Sequence, residues 1–117
     1  MKKVLIVDDA LFMRVMLKNI LEKHQFEVVG EAGNGAEAVK AYEKLHPDIV
    51  TLDITMPQMD GLAALQEIRN LDPNSKVVMV SAMGQESNVK KAISIGAKSF
   101  LVKPFQEDHV IKTLNNI

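Results

Sequence analysis

Charged side chains stand at the ends of three apolar runs in this sequence. Asp8 and Asp9 close the first run, Asp53 closes the third, and Lys103 closes the fifth. Because the carboxyl ends of parallel strands share one edge of an open α/β sheet, these four side chains are expected to converge. Grouped carboxylates bind a hard divalent cation, and a lysine beside them suits a phosphoryl group. The sequence therefore predicts a site for metal-assisted phosphoryl chemistry.

Five β-branched runs alternate with five amphipathic stretches along the chain. Strands are predicted at Lys3–Asp8, Glu27–Glu31, Ile49–Asp53, Lys76–Ser81 and Ser99–Lys103. Helices are predicted at Ala10–His24, at Ala36–Leu45, from the Asp60-Gly61 turn to about Leu71, at Gln85–Ile95 and at Glu107–Asn116. This alternation with short loops predicts a parallel sheet covered by helices on both faces.

The connections between these elements predict the order of the strands. Right-handed crossovers give a doubly wound α/β sandwich of three layers, (βα)5, with the strand order 2-1-3-4-5. The order reverses between strands 1 and 3, which is where ligands bind in such sheets. Asp8, Asp9 and Asp53 fall at that switch point.

The bulk composition bounds the class of protein. With 117 residues, 47% hydrophobic and 25% charged, the chain is predicted to form one globular domain over 1–117. A net charge of -1 gives no electrostatic reason to expect binding to nucleic acid or to a membrane surface. Cysteine is absent, so disulfides and thiolate metal sites are excluded. The first apolar run is too short for a signal peptide, and a cytoplasmic location is expected.

Four motifs stand at predicted strand ends in a fixed order: Asp8-Asp9, Asp53, Ser81-Ala82 and Lys103-Pro104. Together, over the whole chain, they resemble the receiver domain of bacterial response regulators, which has a flavodoxin-like fold. Two further motifs resemble the chemotaxis type: Phe12-Met13-Arg14 and Met56-Pro57-x-Met59-Asp60-Gly61. The chain ends after the fifth predicted helix, so the resemblance is to a stand-alone regulator without an effector domain.

The resemblance implies a role for each residue of the acidic cluster. Asp53 is expected to be the phosphoacceptor, which forms an acyl phosphate. Mg²⁺ is the implied cofactor, bound directly by Asp9 and Asp53 and by the backbone carbonyl of Thr55, with Asp8 acting through water. Lys103 is expected to contact the phosphoryl oxygens. The family usually has a cis peptide at the junction of this lysine with Pro104.

The resemblance also implies a switch and its partners. The Ser81 hydroxyl is expected to bind the phosphoryl group, and Phe100 to rotate into the space that this movement vacates. The expected output face on helix 4, strand 5 and helix 5 carries Lys90, Lys91, Ile95, Lys98 and Phe100. Implied partners are a sensor histidine kinase, a flagellar motor switch protein and a phosphatase, with the chain itself a monomer.

Each of these residues also has an ordinary structural interpretation. Asp8 and Asp9 could end a strand and cap the first helix, and Asp53 could be a turn acid. Lys103 could be solvated, and Phe100 could be plain core. His24, His46 and His109 are scattered near helix ends and are assigned no metal.

One position bears on the lifetime of an acyl phosphate at Asp53. Met83 stands two residues beyond Ser81, where the family often has a polar group that helps to position water. A bulky apolar Met83 could shield the acyl phosphate, which predicts slow self-dephosphorylation.

Three alternative functions remain open at the level of sequence. The first is a phosphorelay intermediate in the same fold. The second is an Mg²⁺-dependent phosphatase with an aspartate nucleophile, although such enzymes carry an acid where this chain has Thr55. The third is a flavodoxin-like cofactor binder, although no glycine-rich phosphate loop follows the first strand. A non-enzymatic signalling switch is the preferred interpretation.

Overall fold

A sheet of five parallel strands forms the middle layer of the protein, in the order β2-β1-β3-β4-β5. The computed structural model describes residues 1–117. The strands are β1 (Lys3–Val7), β2 (Glu27–Ala32), β3 (Ile49–Asp53), β4 (Val77–Ser81) and β5 (Ser99–Val102). The helices are α1 (Leu11–Lys23), α2 (Gly35–Leu45), α3 (Gly61–Leu71), α4 (Glu86–Ile95) and α5 (Glu107–Asn115). The predicted doubly wound, three-layer fold and strand order are confirmed.

Two hydrophobic cores lie on opposite faces of the sheet. One is formed with α2, α3 and α4 and takes Val50 and Leu52 from β3, whereas the other is formed with α1 and α5 and takes Ile49. This division follows from the alternation of side chains along a strand. Strands β3 and β4 are buried throughout. Each large apolar side chain buried there stabilises the fold by about 1.5–3 kcal/mol.

The edge strand β5 is less completely covered than the central strands. Leu101 is buried in the core beneath α1 and α5, but Phe100 and Val102 on the opposite face are 43% and 39% exposed. The helices on that face therefore leave part of β5 open. An apolar surface remains at this edge of the sheet.

Local sequence signals set the ends of several helices. The Asn34 side chain accepts a hydrogen bond from the Glu37 N–H, and the Asp60 side chain accepts one from the Ala63 N–H, so both residues are N-caps. Gly96 ends α4 with a φ of 130°, a conformation that glycine adopts without strain. The sequence predicts this glycine cap.

The predicted bounds of the strands and helices agree with the structure to within one residue. The first turn of α1 is open to solvent, and its Phe12 side chain is 71% exposed. The helix contacts the core only from Met16 and Leu17 onward, so its first turn lies outside the packed region.

No helix in the structure is both long enough and apolar enough to span a membrane.

Candidate functional site

The structure brings Asp8, Asp53 and Lys103 together at the carboxyl edge of the sheet. Lys103 Nζ lies 2.9 Å from Asp8 Oδ2 and 3.4 Å from Asp53 Oδ2. The two acids are only 4% and 5% exposed. One ammonium group is therefore shared between two buried carboxylates at the ends of different strands, since Asp8 directly follows β1 and Asp53 is the last residue of β3.

Asp9 completes an acidic cluster beside this pair. One carboxylate oxygen from each of Asp8, Asp9 and Asp53 lies within 4.8 Å of the others. Asp9 is exposed, so the cluster opens to solvent on one side. Mg²⁺ binds oxygen ligands and keeps several of its waters, so an oxygen-only cluster open to water fits this ion.

Two neighbouring elements, β2 and α1, make hydrogen bonds to the main chain of Asp8. The Asp8 N–H donates to the Ala32 carbonyl at the end of β2 (3.0 Å), and Arg14 Nη1 donates to the Asp8 carbonyl (2.5 Å). Arg14 Nε is in turn bound to Glu31 at 3.0 Å. Neither Asp8 nor Asp9 occupies the N-cap position of α1, which is Ala10 and makes no side-chain cap. The Asp8 side chain nevertheless accepts a hydrogen bond from the Ala10 N–H at 2.9 Å, so it supports the start of this helix. Sequence reasoning did not identify Arg14 as a support of the Asp8 main chain.

The electrostatics of the cluster favour a bound cation. Burial and the neighbouring Asp8 carboxylate raise the pKa of Asp53 to about 6, although Lys103 opposes this shift. Burial acts to lower the pKa of Lys103, but its contacts with Asp8 and Asp53 outweigh burial, and the pKa is raised. Three carboxylates thus face one ammonium group, and a divalent cation would balance the excess negative charge.

The loop after β3 folds back tightly over Asp53. The Ile54 N–H donates to the Val80 carbonyl at 3.1 Å, and the Gly61 N–H donates to the Ile54 carbonyl at 2.7 Å. Within this loop, Gln58 and Met59 have φ values of 58° and 124°, which side chains other than glycine adopt at a cost. These contacts hold the loop against the end of β3, and sequence reasoning recognised only its turn pair.

Ser81 and Lys103 occupy neighbouring strand ends. Ser81 is 2% exposed, and its hydroxyl lies 3.5 Å from the Leu101 carbonyl, a long contact that leaves it free to exchange partners. The Lys103 N–H donates to the Ser81 carbonyl at 2.9 Å. The peptide between Lys103 and Pro104 is cis, as predicted.

Phe100 lies on an apolar groove between β5 and α4 rather than in the core. The groove has a volume of about 690 Å³, and its apolar lining includes Met83, Val89, Ile93, Phe100 and Val102. Lys90 also lines the groove.

The other residues expected on the output face do not line the groove. Lys91 is exposed outside it, Ile95 packs against the core, and Lys98 lies in a separate pocket with residues of α5.

Sequence reasoning anticipated Phe100 but not Val89, Ile93 or Val102, although two patterns in the sequence point to them. Val89 and Ile93 are four residues apart on α4, and Phe100 and Val102 are two residues apart on β5, so each pair shares a face.

The fold and the acidic cluster define a class of protein that comparison with known proteins identifies. A family model described as the response regulator receiver domain matches residues 4–115. The chain therefore belongs to the receiver-domain family of response regulators.

Curated relatives narrow the class to chemotaxis regulators. The chain is 58% identical to chemotaxis protein CheY of Thermotoga maritima over 116 residues, which cover 99% of this chain and 97% of the relative. It is likewise 58% identical to chemotaxis protein CheY of Bacillus subtilis over 113 residues, covering 97% and 94% of the two chains. It is thus a receiver domain similar to the CheY-type regulators of chemotaxis.

A solved structure supports the same relationship. The chain superimposes with a TM-score of 0.94 and 42% identity on a chain from the crystal structure of the CheX-CheY-BeF3-Mg+2 complex from Borrelia burgdorferi. The match covers 98% of this chain and 87% of the other.

Proposed function

We propose that this chain is a phosphorylation-activated response regulator that accepts a phosphoryl group on Asp53 from a sensor histidine kinase. The observation that carries the proposal is the shared ammonium group of Lys103, which lies between the buried carboxylates of Asp8 and Asp53. Asp53 is a buried acid beside the positively charged Lys103, and the acidic cluster opens to solvent at Asp9. This arrangement suits the transfer of an anionic phosphoryl group to Asp53.

For the transfer itself, the protein needs only to position the reacting groups and to stabilise the charge on the phosphoryl oxygens. A carboxylate oxygen of Asp53 attacks phosphorus and forms the O–P bond of an acyl phosphate. The N–P bond of the donor phosphohistidine breaks, and its imidazole nitrogen keeps the electron pair. Because a carboxylate nucleophile has no proton to lose, no general base is required, and Lys103 stabilises the charge on the transferred oxygens.

The acidic cluster supplies the ligands for Mg²⁺. Asp9, Asp53 and the Thr55 backbone carbonyl would hold the ion directly, and Asp8 would hold it through water. When bound, the ion offsets the repulsion between the carboxylates and the incoming phosphoryl group. The oxygen-only donor set within 4.8 Å supports this assignment.

The switch and the output follow from the neighbouring strands. The Ser81 hydroxyl makes only a long contact now, so it is available to bind a phosphoryl oxygen and to draw the loop after β4 inward. Phe100, half-exposed on the groove, would then turn into the vacated space. The target of the changed surface is a flagellar motor switch protein, a proposal supported by the CheY names of the relatives.

The alternative functions have less support. An aspartate-nucleophile phosphatase would need an acid where Thr55 stands, and Thr55 instead bonds to Gln85. A phosphorelay intermediate differs only in the protein that takes the phosphoryl group from Asp53. We therefore propose a signalling switch that catalyses only its own phosphorylation and slow dephosphorylation.

The test is intact mass after incubation with phosphoramidate or acetyl phosphate and Mg²⁺. Wild type is expected to gain one phosphoryl group, and Asp53→Ala is expected to gain none. Asp108→Asn, at an exposed position in the first turn of α5, is the matched control and should be modified like wild type. Loss of the adduct on omission of Mg²⁺ would support the metal assignment, whereas an unmodified wild type would refute the phosphoacceptor role.

A further inference from the structure

A side-chain carboxamide from the start of α4 joins the two loops that flank Asp53. Gln85 Oε1 accepts a hydrogen bond from the Ala82 N–H at 2.7 Å, and Gln85 Nε2 donates one to Thr55 Oγ1 at 2.8 Å. Both distances are those of well-formed hydrogen bonds. The second bond connects residues 30 positions apart, so the bridge links the loop after β3 to the loop after β4.

The two anchors of this bridge stand next to the residues that the proposed function uses. Ala82 directly follows Ser81, and Thr55 is two residues beyond Asp53. The planar carboxamide of Gln85 fills the space between the two loop segments, and each of its ends is bonded to one of them. The carboxamide therefore connects the two loop segments and keeps them separated by the width of one amide group.

We propose that Gln85 is a positioning residue, a latch that holds the Ser81–Ala82 segment in its unphosphorylated place. The proposal rests on the proposed function, in which Ser81 moves toward a phosphoryl group on Asp53. Because the carboxamide stands between the segments, the inward movement of Ala82 breaks its bond to Gln85. The latch therefore favours the resting arrangement and opposes the phosphorylated one.

The size of the effect follows from the strength of the bonds that are lost. Neutral hydrogen bonds of this kind shift a two-state equilibrium by roughly two- to tenfold. A phosphoryl mimic that binds only the switched arrangement should therefore bind more tightly by the same factor when the latch is absent.

The bridge can be tested without any phosphoryl chemistry. Ala82 is exposed, and the hydrogen bond to Gln85 is the one contact found for its N–H, so this amide should exchange with solvent slowly only while the bridge is intact. By NMR hydrogen exchange, Gln85→Ala should accelerate exchange at Ala82, whereas exchange at amides in the centre of β3 should not change. An Ala82 amide that exchanges equally fast in wild type and variant would overturn the latch.

The functional consequence is tested by titration with beryllium fluoride at saturating Mg²⁺, followed by NMR. Gln85→Ala is expected to bind the mimic roughly two- to tenfold more tightly than wild type. The matched control is Gln66→Ala, because Gln66 is an exposed residue of α3 whose amide makes one side-chain contact, with Asn70. Binding equal to or weaker than that of wild type would show that Gln85 does not oppose the switch.

Thr55→Val breaks the same bridge from its other end, so the proposal can still be tested if the Gln85→Ala protein folds poorly. It should also tighten binding of the mimic, and the double variant should show less than the sum of the two effects, because both changes break one bridge. Fully additive effects would contradict the latch. If wild type itself fails to bind the mimic, the proposed function fails, but the exchange result still reports on the bridge.

Discussion

Gly61 lies against the main chain of Asp53 so closely that a side chain has no room there. A methyl group added at Gly61 would collide with the Asp53 carbonyl oxygen and would lie 2.8 Å from the Ile54 Cα. These neighbours are backbone atoms, which cannot rotate aside as a side chain can. The glycine at the start of α3 therefore lets the loop close over the proposed phosphoacceptor.

We expect Gly61→Ala to displace the backbone at Asp53. The substitution should lower the free energy of unfolding by about 1–3 kcal/mol, as overpacking does. Because small displacements of a reacting group are costly, the rate of phosphorylation by phosphoramidate should fall about 10- to 100-fold. The measurements are urea unfolding and the time course of intact mass.

Gly33→Ala is the matched control for this prediction. A methyl group at Gly33 would lie 3.7 Å from Arg14 Nη1, an ordinary contact distance. This variant should remain close to wild type in both measurements. If Gly61→Ala were phosphorylated at the wild-type rate, the close contact would not position Asp53.

The raised pKa of Asp53 predicts how the metal-free protein responds to pH. A carboxyl group whose pKa rises from 3.8 to about 6 on folding binds more protons when folded than when unfolded between these values. Stability from this group is therefore present below pH ~4 and is lost as the pH rises through about 6. Asp53→Asn removes the titration and should exceed wild type in stability by about 2–3 kcal/mol at pH 8.

Unfolding curves of both proteins at pH 4 and pH 8, without divalent cations, test this expectation. Other carboxylates titrate in the same range, so the informative quantity is the difference between the two proteins. That difference should appear only at the higher pH, and added Mg²⁺ should reduce it by stabilising wild type. A wild type that is as stable as the variant at pH 8 would be inconsistent with the raised pKa.

The convergence of Asp8, Asp53 and Lys103 was predictable because strand ends are visible as breaks in apolar runs. Parallel strands then bring those ends to one edge whatever the details of the loops. The lining of the groove was less predictable. On the short helix α4, Ile93 is 44% exposed while Ile95 packs against the core, and periodicity alone did not separate the two.

The Gln85 bridge could not be predicted from the sequence for a different reason. It depends on how two irregular loops lie relative to each other, and no periodic pattern encodes that placement. The same holds for Arg14, whose contact with the Asp8 carbonyl requires a helix, a strand end and a turn to be in register. Residues that support a site through tertiary contacts therefore need the structure.

Thr51 offers a test of the interior beneath the site. It lies in the middle of β3, pairs with Ile6 and Val78, and is fully buried, and its hydroxyl has no hydrogen-bond partner. A buried hydroxyl without a partner destabilises the fold, and valine has the same shape without the polar group. Thr51→Val should raise the free energy of unfolding by about 1 kcal/mol, measured by urea unfolding.

Thr55→Val is the control for that substitution. The Thr55 hydroxyl is bonded to Gln85 at an exposed position, so its removal should bring no gain in stability. If Thr51→Val were less stable than wild type, the Thr51 hydroxyl would have a partner in solution, such as a buried water.

Met83 bears on how long the acyl phosphate survives. Its side chain is 81% exposed and lines the groove rather than covering Asp53. Shielding of the acyl phosphate would therefore require the loop after β4 to move inward, which is the movement proposed for the switch.

Met83→Glu replaces the apolar group with one that can hold water near the phosphoryl group, and the lifetime of the phosphorylated form should shorten several-fold. Decay of intact mass after removal of the phosphodonor measures that lifetime, and Leu71→Glu, an exposed apolar position at the end of α3, should leave it unchanged. A Met83→Glu lifetime equal to or longer than that of wild type would exclude the shielding role.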